Sequence, residues 1–268
     1  MNIRNILILV DLSEATPSLL RYGLQLAASV SAEVWVQHIY YFPPDLAGEV
    51  RIPVAALEQY KHQAEQKLEA LREEIALPIK QLPHFSVIRG DLIEQANHTI
   101  EKCNIDLVIV GNRGGGLTTN ILGSHTLKMI YHARCPVLSV PESVSFRPFN
   151  RIALATDWQV VSSKNVSQIK NLVKQWEAYL DVIHVSTDTK SQEGGLREPL
   201  GLERTPYTLH YLWEQDIDTG LQKHIAQYQN DLLVLIPHQH SFFNRLFQTS
   251  ITRQTVYHSQ IPLLTLRE

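Results

Sequence analysis

Asp106-Leu-Val-Ile-Val-Gly111-Asn-Arg-Gly114-Gly-Gly-Leu-Thr-Thr-Asn-Ile-Leu-Gly123-Ser124 decides the fold of this chain. An apolar run of strand length ends in a glycine-rich loop, and the loop ends in Gly-Ser opening a helical pattern. Such a layout gathers bare backbone N–H groups and a helix N-terminus at one point, an arrangement suited to an anion such as phosphate. Strand, loop and helix in that order belong to a parallel α/β sheet, whose ligands sit outside the carboxyl ends of the strands.

Working outward, the chain repeats itself. Asn5-Ile-Leu-Ile-Leu-Val-Asp11 answers Arg151-Ile-Ala-Leu-Ala-Thr-Asp157, and Val34-Trp-Val-Gln-His38-Ile39 answers Leu180-Asp-Val-Ile-His184-Val185. Asp106-Leu-Val-Ile-Val matches Asp231-Leu-Leu-Val-Leu, and Cys135-Pro-Val-Leu-Ser-Val140 matches Ile261-Pro-Leu-Leu-Thr-Leu266. The offset is 146 residues for the first two pairs and close to 125 for the others. The second copy has therefore lost roughly twenty residues between its second and third strands.

Each copy alternates short β-branched or leucine-rich runs with helical patterns. Thr16-Pro17 reads as a cap followed by a first-turn proline. Leu57, Tyr60, Ala64, Leu68, Leu71 and Ile75 recur at helical spacing and stop before Pro78. Asp91 is placed to cap a helix with Ile93, Ala96, Ile100 and Cys103 on one face, and Ser124 to cap the next. Residues 187–206 are rich in Ser, Gly, Pro and charge, and read as a loop where the first copy has its long second helix. The expectation is two tandem doubly wound α/β domains with Rossmann-like parallel sheets, at 1–141 and 150–268, joined by Pro141-Glu-Ser-Val-Ser-Phe-Arg-Pro-Phe-Asn150. A final strand at a sheet edge exposes unpaired N–H and C=O groups. Val137–Val140 and Leu263–Leu266 are thus expected to pair, making an intramolecular pseudo-dimer.

Composition bounds the function. The chain has 268 residues, 44% hydrophobic and 19% charged, with a formal net charge of −3. There is no long basic run to favour nucleic acid. Ile6-Leu-Ile-Leu-Val10 is too short to span a membrane and lacks the cleavage region of a signal peptide, so a cytoplasmic protein is expected. The two cysteines, Cys103 and Cys135, have no metal-ligand spacing and read as packed free thiols.

The glycine-rich segment resembles the signature of the universal stress protein family, Gly-x2-Gly-x9-Gly-Ser/Thr after the fourth strand. Gly111, Gly114, Gly123 and Ser124 match in kind, although eight rather than nine residues separate Gly114 from Gly123. The repeat, Asp11 and the Cys-Pro-Val-Leu ending extend the resemblance to a tandem two-domain member over nearly the whole chain. It implies a stress-response protein binding an adenine nucleotide, ATP or AMP with or without magnesium, in the first domain. By the same resemblance Asp11 and Ile39 contact the nucleoside, while Gly111, Asn112, Arg113, Gly114, Gly123 and Ser124 contact phosphate and Gly90 lets backbone pass close to the ligand. The alternative for Asp11 is a helix cap, and for the glycines a tight turn.

The second copy reads differently at its own crevice. Ile236-Pro-His-Gln239 replaces Gly111-Asn-Arg-Gly114, and Thr249-Ser250 replaces Gly123-Ser124, so side chains fill the space where phosphate needs bare backbone. That domain is expected to be a structural or interaction module. His238-x-His240, with His210, His224 and His258 in the same half, has no acidic or cysteine neighbour at a ligand spacing, so no metal site is assigned. His38 and His184 recur at matching strand ends, which favours a packing or hydrogen-bonding role over catalysis. With no Walker lysine and no Gly-x-Ser-x-Gly elbow, no catalytic residue is assigned and the protein is not expected to be an enzyme. Two rivals remain at this stage: a structural module binding no nucleotide, and a slow ATPase. Partners are then the nucleotide and an unnamed protein, with no nucleic acid and no membrane, and further pairing of whole chains stays open.

Overall fold

The computed structural model describes residues 2–41, 53–75, 82–112, 124–157, 161–187, 201–202, 205–236 and 259–267. The first half contains β1 (Asn5–Leu9), α1 (Thr16–Val30), β2 (Glu33–Tyr40), α2 (Val54–Glu74), β3 (His84–Arg89), α3 (Leu92–Lys102), β4 (Leu107–Gly111), α4 (Ser124–His132) and β5 (Val137–Val140). The second contains β6 (Arg151–Ala155), α5 (Ser163–Trp176), β7 (Tyr179–Ser186), β8 (Tyr207–Trp213), α6 (Ile217–Tyr228), β9 (Leu232–Leu235) and β10 (Leu263–Thr265). Among the described residues no helix lies between β7 and β8, where the first half has α2.

All these strands join one sheet in the order β3-β2-β1-β4-β5-β10-β9-β6-β7-β8. Within each half the pairing is parallel and the order is that of a doubly wound fold, reversing between β1 and β4 and again between β6 and β9. The expected pairing of the final strands is present: β10 runs antiparallel to β5, with Leu264 opposite Leu138. Val137 faces Thr265 and Ser139 faces Leu263, so a pseudo-twofold axis passes through the Leu138–Leu264 pair. The two carboxyl-end crevices consequently open at opposite ends of the shared sheet.

The period of two along each strand divides the core into two layers. Ile6, Ile8 and Val10 pack with Leu20 and Leu24 of α1 and Leu68 of α2, in a layer that continues through Leu154 and Leu172 of the second half. Leu7 and Leu9 face the opposite layer with Ile100 of α3, Met129 of α4 and Leu221 of α6. Parallel strands covered on both faces have no solvated side, which explains the nearly continuous apolar runs.

Charged side chains lock the strand starts. Asp106 Oδ2 accepts from the backbone N–H groups of Arg4 and Asn5 at 2.8 and 3.0 Å. Its counterpart Asp231 accepts from Asn150 and Arg151 at 2.9 and 3.0 Å. Asp91 caps α3 as expected, accepting from the N–H groups of Ile93 and Glu94. Thr16 does not cap α1: Ala15 holds that position without a side-chain bond, and the Thr16 hydroxyl turns to Asp11. The linker is packed too, with Phe146 edge-on to Tyr22 at 5.5 Å and Phe149 edge-on to Trp176 at 5.3 Å between ring centroids. Cys103 and Cys135 are free, and burial pushes the Cys135 thiol up to about 12.

Leu264 lies in a strand flanked on both sides, so its N–H belongs to a ladder whichever neighbour it serves. Leu264→Pro deletes that donor and strands a buried carbonyl, a loss on the order of 2–3 kcal/mol. A clear fall in the urea midpoint is expected; an unchanged midpoint would mean that the seam between the halves contributes little.

Candidate functional site

The strand order places four carboxyl ends side by side in the first half. Gly90 follows β3, Ile39 is next to last in β2, Asp11 lies just beyond β1, and Gly111 ends β4. These are the positions flanking the point where strand order reverses, at which open α/β sheets place their ligands.

Each position has a local cause. Gly90 has φ of 152° and donates its N–H to Tyr40 O at 3.0 Å, and a Cβ there would meet the Gln95 side chain at 2.8 Å. The positive φ selects glycine, whereas the flexible Gln95 side chain would only have to shift to admit a Cβ. Asp11 is exposed at the crevice mouth; its Oδ1 accepts from Ser13 N at 3.0 Å and the Thr16 hydroxyl at 3.3 Å. This is a turn-closing contact ahead of α1 rather than a helix cap. Ile39 is half-buried beside Gly90, consistent with an apolar wall.

At β4 the Thr126 hydroxyl donates to Gly111 O at 2.7 Å, tying the first turn of α4 to the strand end. Asn112 is buried: its N–H donates to Val140 O at 3.0 Å and its Oδ1 accepts from the Ser139 hydroxyl at 2.5 Å. Those contacts tie the root of the glycine loop to β5. Thr126 and Ser139 escape sequence reasoning because neither belongs to the glycine pattern. Ser124 opens α4; its side chain, like Arg113, Gly114 and Gly123, lies outside the described residues.

Beneath the crevice, His38 Nδ1 is 2.9 Å from Val10 O and Nε2 is 3.1 Å from the Tyr60 hydroxyl. A carbonyl only accepts, so Nδ1 carries the proton. His184 makes the same contact to Thr156 O at 2.9 Å, which bears out a hydrogen-bonding role for the duplicated histidines. The second crevice differs where its residues are described. Glu214 takes the place of Gly90 and pairs with Lys223 at 2.7 Å, while a buried Ile236 stands where Gly111 does. His238, His240, His258, Thr249 and Ser250 lie outside the described residues.

Known proteins place this arrangement. A family model, the universal stress protein family, matches residues 2–141. The chain belongs to the universal stress protein family. Among curated relatives of this stress protein, universal stress protein A homolog 1 of Coxiella burnetii is 32% identical over 144 residues, which is 52% of the present chain and 97% of the relative. Universal stress protein G of Shigella flexneri is 31% identical over 86 residues, covering 31% of the present chain and 58% of that protein. A solved universal stress protein from Archaeoglobus fulgidus matches the tandem architecture, with a TM-score of 0.73 over 98% of this chain and 96% of that one at 18% identity. No helix among the described residues is long and apolar enough to cross a membrane.

His38 is shifted below the ordinary imidazole value, chiefly by burial, against the opposing pull of Val10 O and Asp11. A folded-state value below the unfolded one means that the unfolded chain takes up the proton first. This contribution to stability is complete above about pH 6.5 and is lost as the pH falls below it. An NMR titration is expected to show the His38 ring protonating below that value; a midpoint at or above it would contradict the buried, Nδ1-protonated state.

Proposed function

We propose that this universal stress protein binds an adenine nucleotide, ATP or AMP, in the crevice of its first half, and that the second half acts as a structural or interaction module. The observation that carries this reading is the convergence of the β1–β4 carboxyl ends with the start of α4, fastened by Thr126 to Gly111 O. A helix N-terminus beside glycine backbone offers N–H donors and a positive dipole end to a phosphate. Asp11 at the mouth and Ile39 beside Gly90 supply a polar group and an apolar wall for a nucleoside. Gly111, Gly114, Gly123 and Ser124 supply the phosphate cradle, with Arg113 adding charge and Asn112 holding the loop root through Ser139. The described donor set fits such a ligand, since Gly90 and Gly111 leave the backbone bare on either side of Asp11.

The same comparison supports a non-nucleotide role for the second half, where Glu214 and Ile236 put side chains at the two positions that are glycine in the first. A binding role is favoured over catalysis because the carboxylate at the mouth, Asp11, is engaged in holding the turn before α1. Mass spectrometry of small molecules released from freshly purified protein, followed by equilibrium titration with ATP and AMP, tests the assignment.

Gly123→Val puts a branched side chain where backbone has to approach phosphate. Loss of ATP and AMP binding is expected, with the melting temperature little changed, whereas Thr249→Val in the second half leaves binding as it was. Wild-type affinity in a folded Gly123→Val protein would rule out the cradle.

A further inference from the structure

The second half brings together three side chains that lie far apart in sequence. Asp181 of β7, His210 of β8 and His224 of α6 each present a ligand atom, all within 4.8 Å of one another. Asp181 is 1% exposed and His224 is 2% exposed. They lie near the starts of β6 and β7, away from the carboxyl-end crevice of that half.

The hydrogen bonds engage two of the three ligand atoms and leave His224 Nε2 without a partner. Asp181 Oδ2 accepts from Arg151 Nε at 2.5 Å and from Asn230 Nδ2 at 2.8 Å. Asp181 Oδ1 accepts from Arg151 Nη2 at 2.9 Å and lies 3.1 Å from His210 Nε2. Asn230 Oδ1 lies 3.1 Å from His224 Nδ1, and an amide oxygen only accepts, so that nitrogen carries the proton. His224 Nε2 is then a bare lone pair, and it is buried without a hydrogen-bond partner. An orphaned buried acceptor carries a desolvation cost that an unfilled ligand position explains.

The internal repeat supplies a control. By strand register and helix cap, Asp181, His210 and His224 correspond to Trp35, Ser86 and Thr99 in the first half. There Thr99 simply exchanges hydrogen bonds with Gln37. The scaffold is thus built without the cluster in one copy and with it in the other.

We propose that Asp181 Oδ1, His210 Nε2 and His224 Nε2 form a site for a divalent transition-metal ion of the zinc type, the ion displacing the proton that His210 Nε2 now donates to Asp181 Oδ1. Two imidazoles and one carboxylate are a donor set suited to zinc. The Asn230 contact to His224 Nδ1 is the outer hydrogen bond that metal-bound histidines usually make. Tetrahedral ligands at about 2.0–2.1 Å from an ion lie roughly 3.4 Å apart, so shifts on the order of 1 Å close the set. Arg151 already balances the Asp181 charge, so the imidazoles must carry most of the affinity, which selects zinc, nickel or copper over magnesium. Tyr228 stacks on His224 at 4.3 Å between ring centroids and carries the Arg151 guanidinium over its ring at 4.8 Å, while His210, 12% exposed, gives the way in. The bound ion would fasten edge strand β8 to β7 and α6. This departs from the sequence expectation of no metal, which weighed neighbours in sequence rather than across the sheet.

The test uses the full chain stripped with EDTA and titrated calorimetrically with Zn²⁺, with Mg²⁺ as the contrast and Co²⁺ absorbance as a report on nitrogen ligation. Zinc binding that survives removal of both His238 and His240 by alanine substitution is expected, together with a rise in melting temperature that Mg²⁺ does not produce. His224→Gln and His210→Gln are each expected to weaken zinc at least about 10-fold, the scale of an outer-sphere loss. Should His224→Gln fail to fold by circular dichroism, His210→Gln decides, since His210 is the more exposed of the pair. No zinc uptake by the wild type, or wild-type affinity in a folded His210→Gln protein, overturns the site.

Discussion

The ladder between β5 and β10 is the constraint on which the rest of the structure depends. Each half is an open sheet whose last strand would otherwise present a row of unpaired backbone groups. All four residues of β5 and all three of β10 are buried, so neither strand is built to face water. Antiparallel pairing about the Leu138–Leu264 pair satisfies both edges at once and leaves β3 and β8 as the only outer strands of the described sheet. It also lets the two apolar layers run unbroken from one half into the other. The linker reinforces the join, because Phe146 reaches Tyr22 of α1 and Trp176 of α5 alike.

Much of this was legible in the sequence because the repeat carries topology. Two copies of the same strand runs fix which elements correspond, and an edge strand in each copy implies the seam. The Asp91 cap and the paired roles of His38 and His184 follow from local chemistry, which short windows of sequence contain. Thr16 was misread for a reason that such windows omit: Asp11, five residues earlier, takes its hydroxyl, and the helix starts without a side-chain cap. Asp106 and Asp231 were visible only as the residues before strands, since their partners lie 102 and 81 positions away. Asn112 belonged to the glycine motif, yet its bond to Ser139 joins β4 to β5 and depends on register. The Asp181, His210 and His224 group was hidden for the same reason, its members being drawn from two strands and a helix.

The two halves share a scaffold and differ in where they place polar chemistry. In the first, the glycine backbone of Gly90 and Gly111 and the Asp11 carboxylate gather at the carboxyl ends of the strands. In the second, Glu214 and Ile236 occupy that end, and the buried polar group sits at the opposite end of β6 and β7. The clamps at Asp106 and Asp231 and the carbonyl contacts of His38 and His184 are the same in both.

The seam also governs how the chain is made. Its two strands are 128 residues apart, as the Thr265 hydroxyl bond to Val137 O records. At about 5–20 residues per second, the ribosome needs roughly 6–25 s to cover that distance. During that interval a folded first half carries a bare, apolar edge whose natural complement does not yet exist. Neighbouring nascent chains on one message would present identical edges to each other, so exchange of partners between copies is the characteristic misassembly of this architecture.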